Sequence, residues 1–210
     1  MIPDEAIHIL PCQGELHASI ILLHGYSSHA SVHCEDGKAF VSDGIEVMMP
    51  DAPGHGYRDD GRLAQIATLP DEERLAAIHG IAREWIDELP SLAAKCKLRG
   101  SSRIGLIGIS MGGFAALGAL AQPCPFAVIA AVLAAPALLD PAAITPGQPP
   151  VLLGLAGRDT AVPPEPGRQF ARDYGAELHE YPESEHFMRG EDWNDLWSRS
   201  AAFLQQHLNA

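Results

Sequence analysis

Short apolar runs alternate along this chain with stretches whose apolar positions fall three and four apart. ASIILL (18–23) is an unbroken run rich in isoleucine and leucine, the pattern of a strand buried on both faces. GIEVMM (44–49), SRIGLIG (102–108), FAVIAAVL (126–133), VLLGLAG (151–157) and AELHEYP (176–182) follow, each bounded by Gly, Pro, Asp or Ser. Between them the spacing turns helical. Residues 71–89 set Leu75, Ile78, Ala82, Trp85 and Leu89 on one face, with Asp71, Glu72 and Glu73 in the first turn and Pro90 expected to stop the element. Residues 111–122 are Ala-rich and apolar on most sides, which predicts a central, buried helix. Residues 164–174 end at Gly175, a good helix stop. Residues 192–208 carry a stripe of Trp193, Leu196, Trp197, Ser200, Phe203 and Leu204, with Asp192 as the expected cap.

This alternation predicts an α/β fold, a mostly parallel central sheet with helices on both faces and right-handed crossovers. In such sheets ligands gather at the carboxyl ends of the strands, so the residues that follow each strand carry the functional information. No repeat, low-complexity segment or linker interrupts the pattern, and residues 1–210 are read as one domain.

Composition narrows the classes. With 47% hydrophobic and 20% charged residues the chain can bury a sizeable core and is neither disordered nor fibrous. Its net charge of −13, with no basic cluster, argues against nucleic acid and anionic membrane as partners and favours a neutral or cationic small molecule. No apolar run approaches the length of a bilayer span. MIPDEAIHIL carries Asp4 and Glu5 where a signal peptide would be positive, so a cytoplasmic location is expected. Cys12, Cys34, Cys96 and Cys124 form no CxxC pair and are read as reduced structural thiols. No zinc spacing is found among the histidines, so neither metal nor other cofactor is expected, and the oligomeric state is left open between monomer and homodimer.

The candidate chemistry begins at GISMGG (108–113), between SRIGLIG and the Ala-rich helix. A tight strand-to-helix bend leaves no room for side chains two positions either side of Ser110, hence Gly108 and Gly112. The bend lifts the Ser110 hydroxyl above the sheet edge and leaves the Met111 amide unpaired at a helix N-terminus, free to donate to an anion. A serine is a poor nucleophile until an oriented base takes its proton. GRDTAVP offers Asp159 just past one strand, and ESEHFM offers His186 past the next. Serine, acid, histidine is the chain order that goes with a nucleophile mounted on such an elbow.

GISMGG, the HG of LLHGYSSH, GRDTAVP and SEHFM together resemble the α/β-hydrolase superfamily over residues 18–204, most of all its small serine esterases of the dienelactone-hydrolase-like and prolyl-oligopeptidase-related branches. Dienelactone hydrolases carry a cysteine nucleophile where this chain has Ser110, which argues against that particular activity. The resemblance implies that the amide following HG, that of Tyr26, is the second oxyanion donor beside Met111, and that PDAPGHGYRDDGR (50–62) forms a loop next to it. His24 is expected to brace the Gly25 turn and His55 to brace its own loop, although His55 is also a rival base. Asp51 and Asp140 are rivals to Asp159, the latter because some family members mount the acid after that strand. Residues 134–150 leave no room for the helical cap of larger members. The resulting open site would be walled by Pro136 to Leu139 (Leu138 above all), Val162, Phe187, Met188 and the stretch 57–69. Ser27 and Ser28 can hydrogen-bond substrate, or form an ordinary polar loop, and Glu183 and Glu185 can favour a charged His186 or simply face water. The expected function is hydrolysis of small carboxylic esters through an acyl-enzyme on Ser110, His186 and Asp159. The alternatives are a thioesterase, small peptidase or acyltransferase with the same machinery, and a receptor that binds but scarcely turns over.

Overall fold

Apolar runs without alternation need cover on both faces. In the computed structural model, which describes residues 2–121, 123–140, 144 and 147–210, they become the inner strands of a seven-stranded sheet. The strands are β1 (Ile7–Leu10), β2 (Gln13–Leu23), β3 (Asp43–Pro50), β4 (Arg103–Ile109), β5 (Val128–Val132), β6 (Val151–Ala156) and β7 (Glu177–Tyr181), in the spatial order β1-β3-β2-β4-β5-β6-β7. β1 is antiparallel to β3, and the remaining pairs are parallel. The α-helices of the described residues are α1 (Cys34–Gly37), α2 (Arg62–Ile66), α3 (Asp71–Arg99), α4 (Met111–Gly118), α5 (Pro164–Tyr174) and α6 (Gly190–Leu208).

Because successive strand residues point to opposite faces, each inner strand feeds two cores. Ile21, Leu23, Leu106, Ile129 and Leu153 pack with Trp85, Leu89, Phe114 and Phe170 from α3, α4 and α5. Ile20, Leu22, Ile107, Ala130 and Leu152 pack with Leu196, Trp197 and Leu204 of α6. The stripe predicted on α6 is therefore its inner face, with Trp193 and Phe203 at the margin and the Ser200 hydroxyl donating to Leu196 O at 2.8 Å.

Several expectations are corrected. Pro90 does not stop its helix: α3 runs on to Arg99 and ends at Gly100, whose φ is 116°. A proline inside a helix costs about 3 kcal/mol, but Leu92, Ala93 and Cys96 continue the buried stripe beyond it, and burying such side chains offsets that cost. Leu75 is 42% exposed, since full burial along α3 begins only at Ile81. β1 was not among the predicted strands because IHIL is half-buried at every position, so neither an unbroken apolar run nor a clean alternation marks it. β2 begins at Gln13 rather than Ala18, through the polar, largely exposed QGELH. β5 stops at Val132 because Leu133, with φ 54°, leaves the extended region. α4 ends at Gly118 and continues as a 3₁₀ turn over Ala119–Ala121, and Gln122 lies outside the described residues. Asp192 is not the cap of α6, which starts at Gly190 with no side-chain cap. Among the described residues no helix is long and apolar enough to cross a membrane, and all four cysteines are unpaired.

Candidate active site

Strand β4 passes into helix α4 through one residue, Ser110, at φ 52° and ψ −110°. A non-glycine residue at such angles costs of order 1–3 kcal/mol, so its surroundings must hold it there. Ser110 N–H donates to Val132 O, and Phe114 N–H donates to Ser110 O, both at 2.9 Å. The flanking glycines are demanded by backbone approach: a Cβ on Gly108 would stand 2.0 Å from Gly112 O, and one on Gly112 2.4 Å from Leu23 O. Neither obstacle is a flexible side chain. Gly112→Ala is expected to cost about 3 kcal/mol, read as a shift in denaturant midpoint, because α4 must move off β2 to admit the methyl. An unshifted midpoint would mean the bend is slacker than described.

Asp159 and His186 arrive past adjacent strands. Past β6, Gly157 N–H donates to Tyr181 O at 2.8 Å and Arg158 N–H to Ser184 O at 2.9 Å, which carries the β6–β7 pairing out into both loops. Arg158 and Glu183 form an ion pair across the same gap. Ser184 Oγ donates to Asp192 Oδ2 at 2.5 Å, tying the histidine loop to the start of α6. Ser184 has no part in the sequence expectations, where Asp192 is a helix cap; its place two residues before His186 is the signal that points to it.

Asp159 is buried. Its Oδ1 accepts the Ala161 and Val162 N–H groups at 2.9 and 2.8 Å, and its Oδ2 lies 2.7 Å from His186 Nδ1. A carboxylate accepts only, so Nδ1 carries the imidazole proton and Nε2 is bare. That bare nitrogen stands 2.9 Å from Ser110 Oγ, and the serine O–H therefore donates to it. Three residues far apart in sequence form one donor chain, running Ser110 to His186 to Asp159.

Beside it, β2 ends in His24, Gly25 and Tyr26. A Cβ on Gly25 would be 3.7 Å from Ser110 Cβ, so this turn abuts the serine. Ser28 N–H donates to Gly25 O at 3.3 Å, closing a turn with Tyr26 and Ser27 at its corners and Ser27 at φ 62°. Among the described residues neither the Tyr26 nor the Met111 N–H has a hydrogen-bond partner. Two histidines brace the turn. His24 Nε2 accepts Ala52 N–H at 3.0 Å, so its Nδ1–H donates to Gly25 O at 2.8 Å. Burial pushes its pKa down to about 3, so the ring is neutral. His55 donates from Nδ1 to Pro53 O at 2.9 Å and accepts Ser27 N–H on Nε2 at 3.4 Å, with burial again lowering its pKa. Both rings serve backbone, which removes His55 as a rival base.

The rival acids are also committed elsewhere. Asp51 is buried and clamps two loops, accepting Ala30 N–H at 2.8 Å and Tyr57 N–H at 2.9 Å. Asp140 is exposed, and His186 has taken Asp159. Glu183 is paired with Arg158 and Glu185 faces water, so both are surface residues.

The expected walls are partly corrected. Val162 is 8% exposed and packs in the core, contributing its N–H rather than its side chain. Met188 is likewise buried, under α6. Leu138 packs near Gly118, eight residues along α4 from Ser110 and about 12 Å away at 1.5 Å per residue. Phe187 is 84% exposed and edge-on to the His186 ring at 5.6 Å, and Ser27 and Tyr57 are also exposed.

A family model described as the alpha/beta hydrolase family matches residues 20–209. Esterase YjfP of Escherichia coli (strain K12) is 31% identical over 116 residues, a match that takes in 54% of this chain and less than half, 41%, of that protein's length. Among solved structures, esterase PE8 is similar with a TM-score of 0.70 at 25% identity, over 95% of this chain and 97% of its own. Est1E from Butyrivibrio proteoclasticus, solved with ferulic acid bound, has a TM-score of 0.71 over 97% of this chain and 96% of its own; at 14% identity the likeness is one of fold.

Proposed function

The chain belongs to the alpha/beta hydrolase family, and we propose that within it the protein is a serine esterase that cleaves small carboxylic esters through an acyl-enzyme. The observation that carries this reading is the donor chain with Ser110 Oγ 2.9 Å from His186 Nε2 and His186 Nδ1 2.7 Å from Asp159 Oδ2. Ser110 Oγ attacks the ester carbonyl carbon while Nε2 takes its proton, and Asp159 holds the ring in the working tautomer and stabilises the imidazolium. The carbonyl oxygen becomes an oxyanion received by the unpartnered Tyr26 and Met111 amides; such a donor is typically worth about 3 kcal/mol in the transition state. Collapse expels the alcohol, which takes the proton from Nε2. Water then repeats the sequence on the acyl-serine and frees the acid.

The β5–β6 connection, residues 133–150, is too short for the helical cap of larger family members, and the exposed Phe187 ring offers an apolar rim suited to a small acyl group. The net charge of −13 favours neutral or cationic esters over anionic ones. Four unpaired thiols fit a reducing compartment such as the cytoplasm.

Incubation with a fluorophosphonate followed by peptide mapping is expected to find the adduct on Ser110, and folded protein left unlabelled there would end the mechanism. A panel of nitrophenyl esters, thioesters and aminoacyl amides is expected to give the highest kcat/KM on short-chain esters. Faster thioester or amide cleavage would reassign the acyl donor, and labelling without turnover would favour a receptor.

A further inference from the structure

A second donor chain runs through the loop after β2. Ser28 Oγ lies 2.9 Å from His33 Nε2, and His33 Nδ1 lies 3.2 Å from Asp36 Oδ2. The Asp36 carboxylate can only accept, so the His33 proton is on Nδ1 and Nε2 is bare. The Ser28 O–H is therefore spent on Nε2, and its oxygen is left with lone pairs alone. The arrangement holds where His33 is neutral. Burial lowers the His33 pKa, an effect that nearby His29 reinforces and Asp36 opposes. Ser28 and His33 are both only partly buried, the His33 side chain being 14% exposed.

Its place matters. Ser28 closes the turn on Gly25 O, and the ends of such a turn are less than about 7 Å apart. Gly25 itself abuts Ser110. Ser28 thus ends the turn that carries the Tyr26 amide and begins beside Ser110.

We propose that Ser28 determines specificity: its oxygen, held as an obligate acceptor by His33 and Asp36, receives a hydrogen bond from the substrate, so that the preferred esters carry a hydroxyl donor within a few bonds of the scissile carbonyl. The inference rests on the serine-esterase reading and narrows its substrate class. Of the two serines on this turn, it assigns the polar contact to Ser28.

The test measures kcat/KM for matched pairs: a 2-hydroxyacyl nitrophenyl ester against its deoxy analogue, and a 2-hydroxyethyl ester against the ethyl ester. The first pair places the donor on the acyl half and the second on the alcohol half. The wild-type protein is expected to prefer the hydroxylated member of one pair by about fivefold to tenfold, the usual range for one neutral hydrogen bond. Ser28→Ala and His33→Phe should bring that ratio to parity, and Ser28→Thr should retain it. Because a ratio is read, a general loss of turnover in a variant does not obscure the result. Parity in the wild-type protein, or a preference that survives Ser28→Ala, would overturn the proposal. So would a fluorophosphonate adduct on Ser28 in Ser110→Ala, which would make that hydroxyl a nucleophile. If neither member of either pair is hydrolysed, the esterase reading itself fails and takes this one with it.

Discussion

Ser110→Ala is expected to lower kcat on a short-chain nitrophenyl ester by at least about 10⁴-fold, with little change in KM. Alanine deletes the oxygen proposed to bond to carbon and leaves everything else: His186 stays on Asp159, and the Tyr26 and Met111 amides keep their direction. What survives is the weak catalysis available from binding and amide donation alone. Stability is a necessary control, since the residue sits at φ 52°. Alanine can occupy that angle no more easily than serine, so the unfolding midpoint should stay close to wild type and the lost activity cannot be blamed on lost fold. A kcat within tenfold of wild type would show that the hydroxyl is not the attacking group.

Acid should unfold this protein through His24, with an effect of about 5 kcal/mol when fully expressed. Burial holds the folded ring's pKa at about 3 against an ordinary 6.5. Between those values the unfolded chain binds a proton at His24 that the folded chain refuses. Stability rises with pH wherever the unfolded state binds more protons, so it must fall as pH drops through this window. Above 6.5 the ring is neutral in both states and contributes no slope. The structural reason is the doubly committed ring: Nε2 accepts Ala52 N–H, and a proton placed there would break that bond inside the core. His24→Asn should be less stable near neutrality, having lost a native brace. Its unfolding free energy should then fall less steeply between pH 5.5 and 4, by about 1.4 kcal/mol per pH unit. Equal slopes in the two proteins would mean that His24 titrates normally.

What could be read from sequence was whatever burial imposes on pattern. ASIILL and VLLGLAG are covered on both faces, so their apolar character is unbroken and they map onto β2 and β6. IHIL at the edge is covered on neither side fully and left no such trace. Pro90 misled because a local rule about one N–H was outweighed by burial within the next two turns, at Leu92 and Cys96, which local reading does not weigh. The site divides in the same way. Ser110, Asp159 and His186 were visible because each follows a strand and each is the residue type its chemistry demands. The walls were not: whether Val162 faces a substrate or the core depends on how its loop folds around the Asp159 carboxylate, and Leu138 depends on the packing of α4. The His33–Asp36 pair was invisible for the same reason, since what commends it is a distance.

Ser110 and His186 do not rest on equally secure ground. Ser110 hangs from β4, in the middle of the sheet, whereas His186 follows β7, an outer ribbon laddered to a single neighbour. If that margin peels away, the central layers remain assembled around a serine with nothing to deprotonate it. On the esterase reading, how long activity lasts and how long the fold lasts are consequently set by different regions, and hardening the interior would do little for the first.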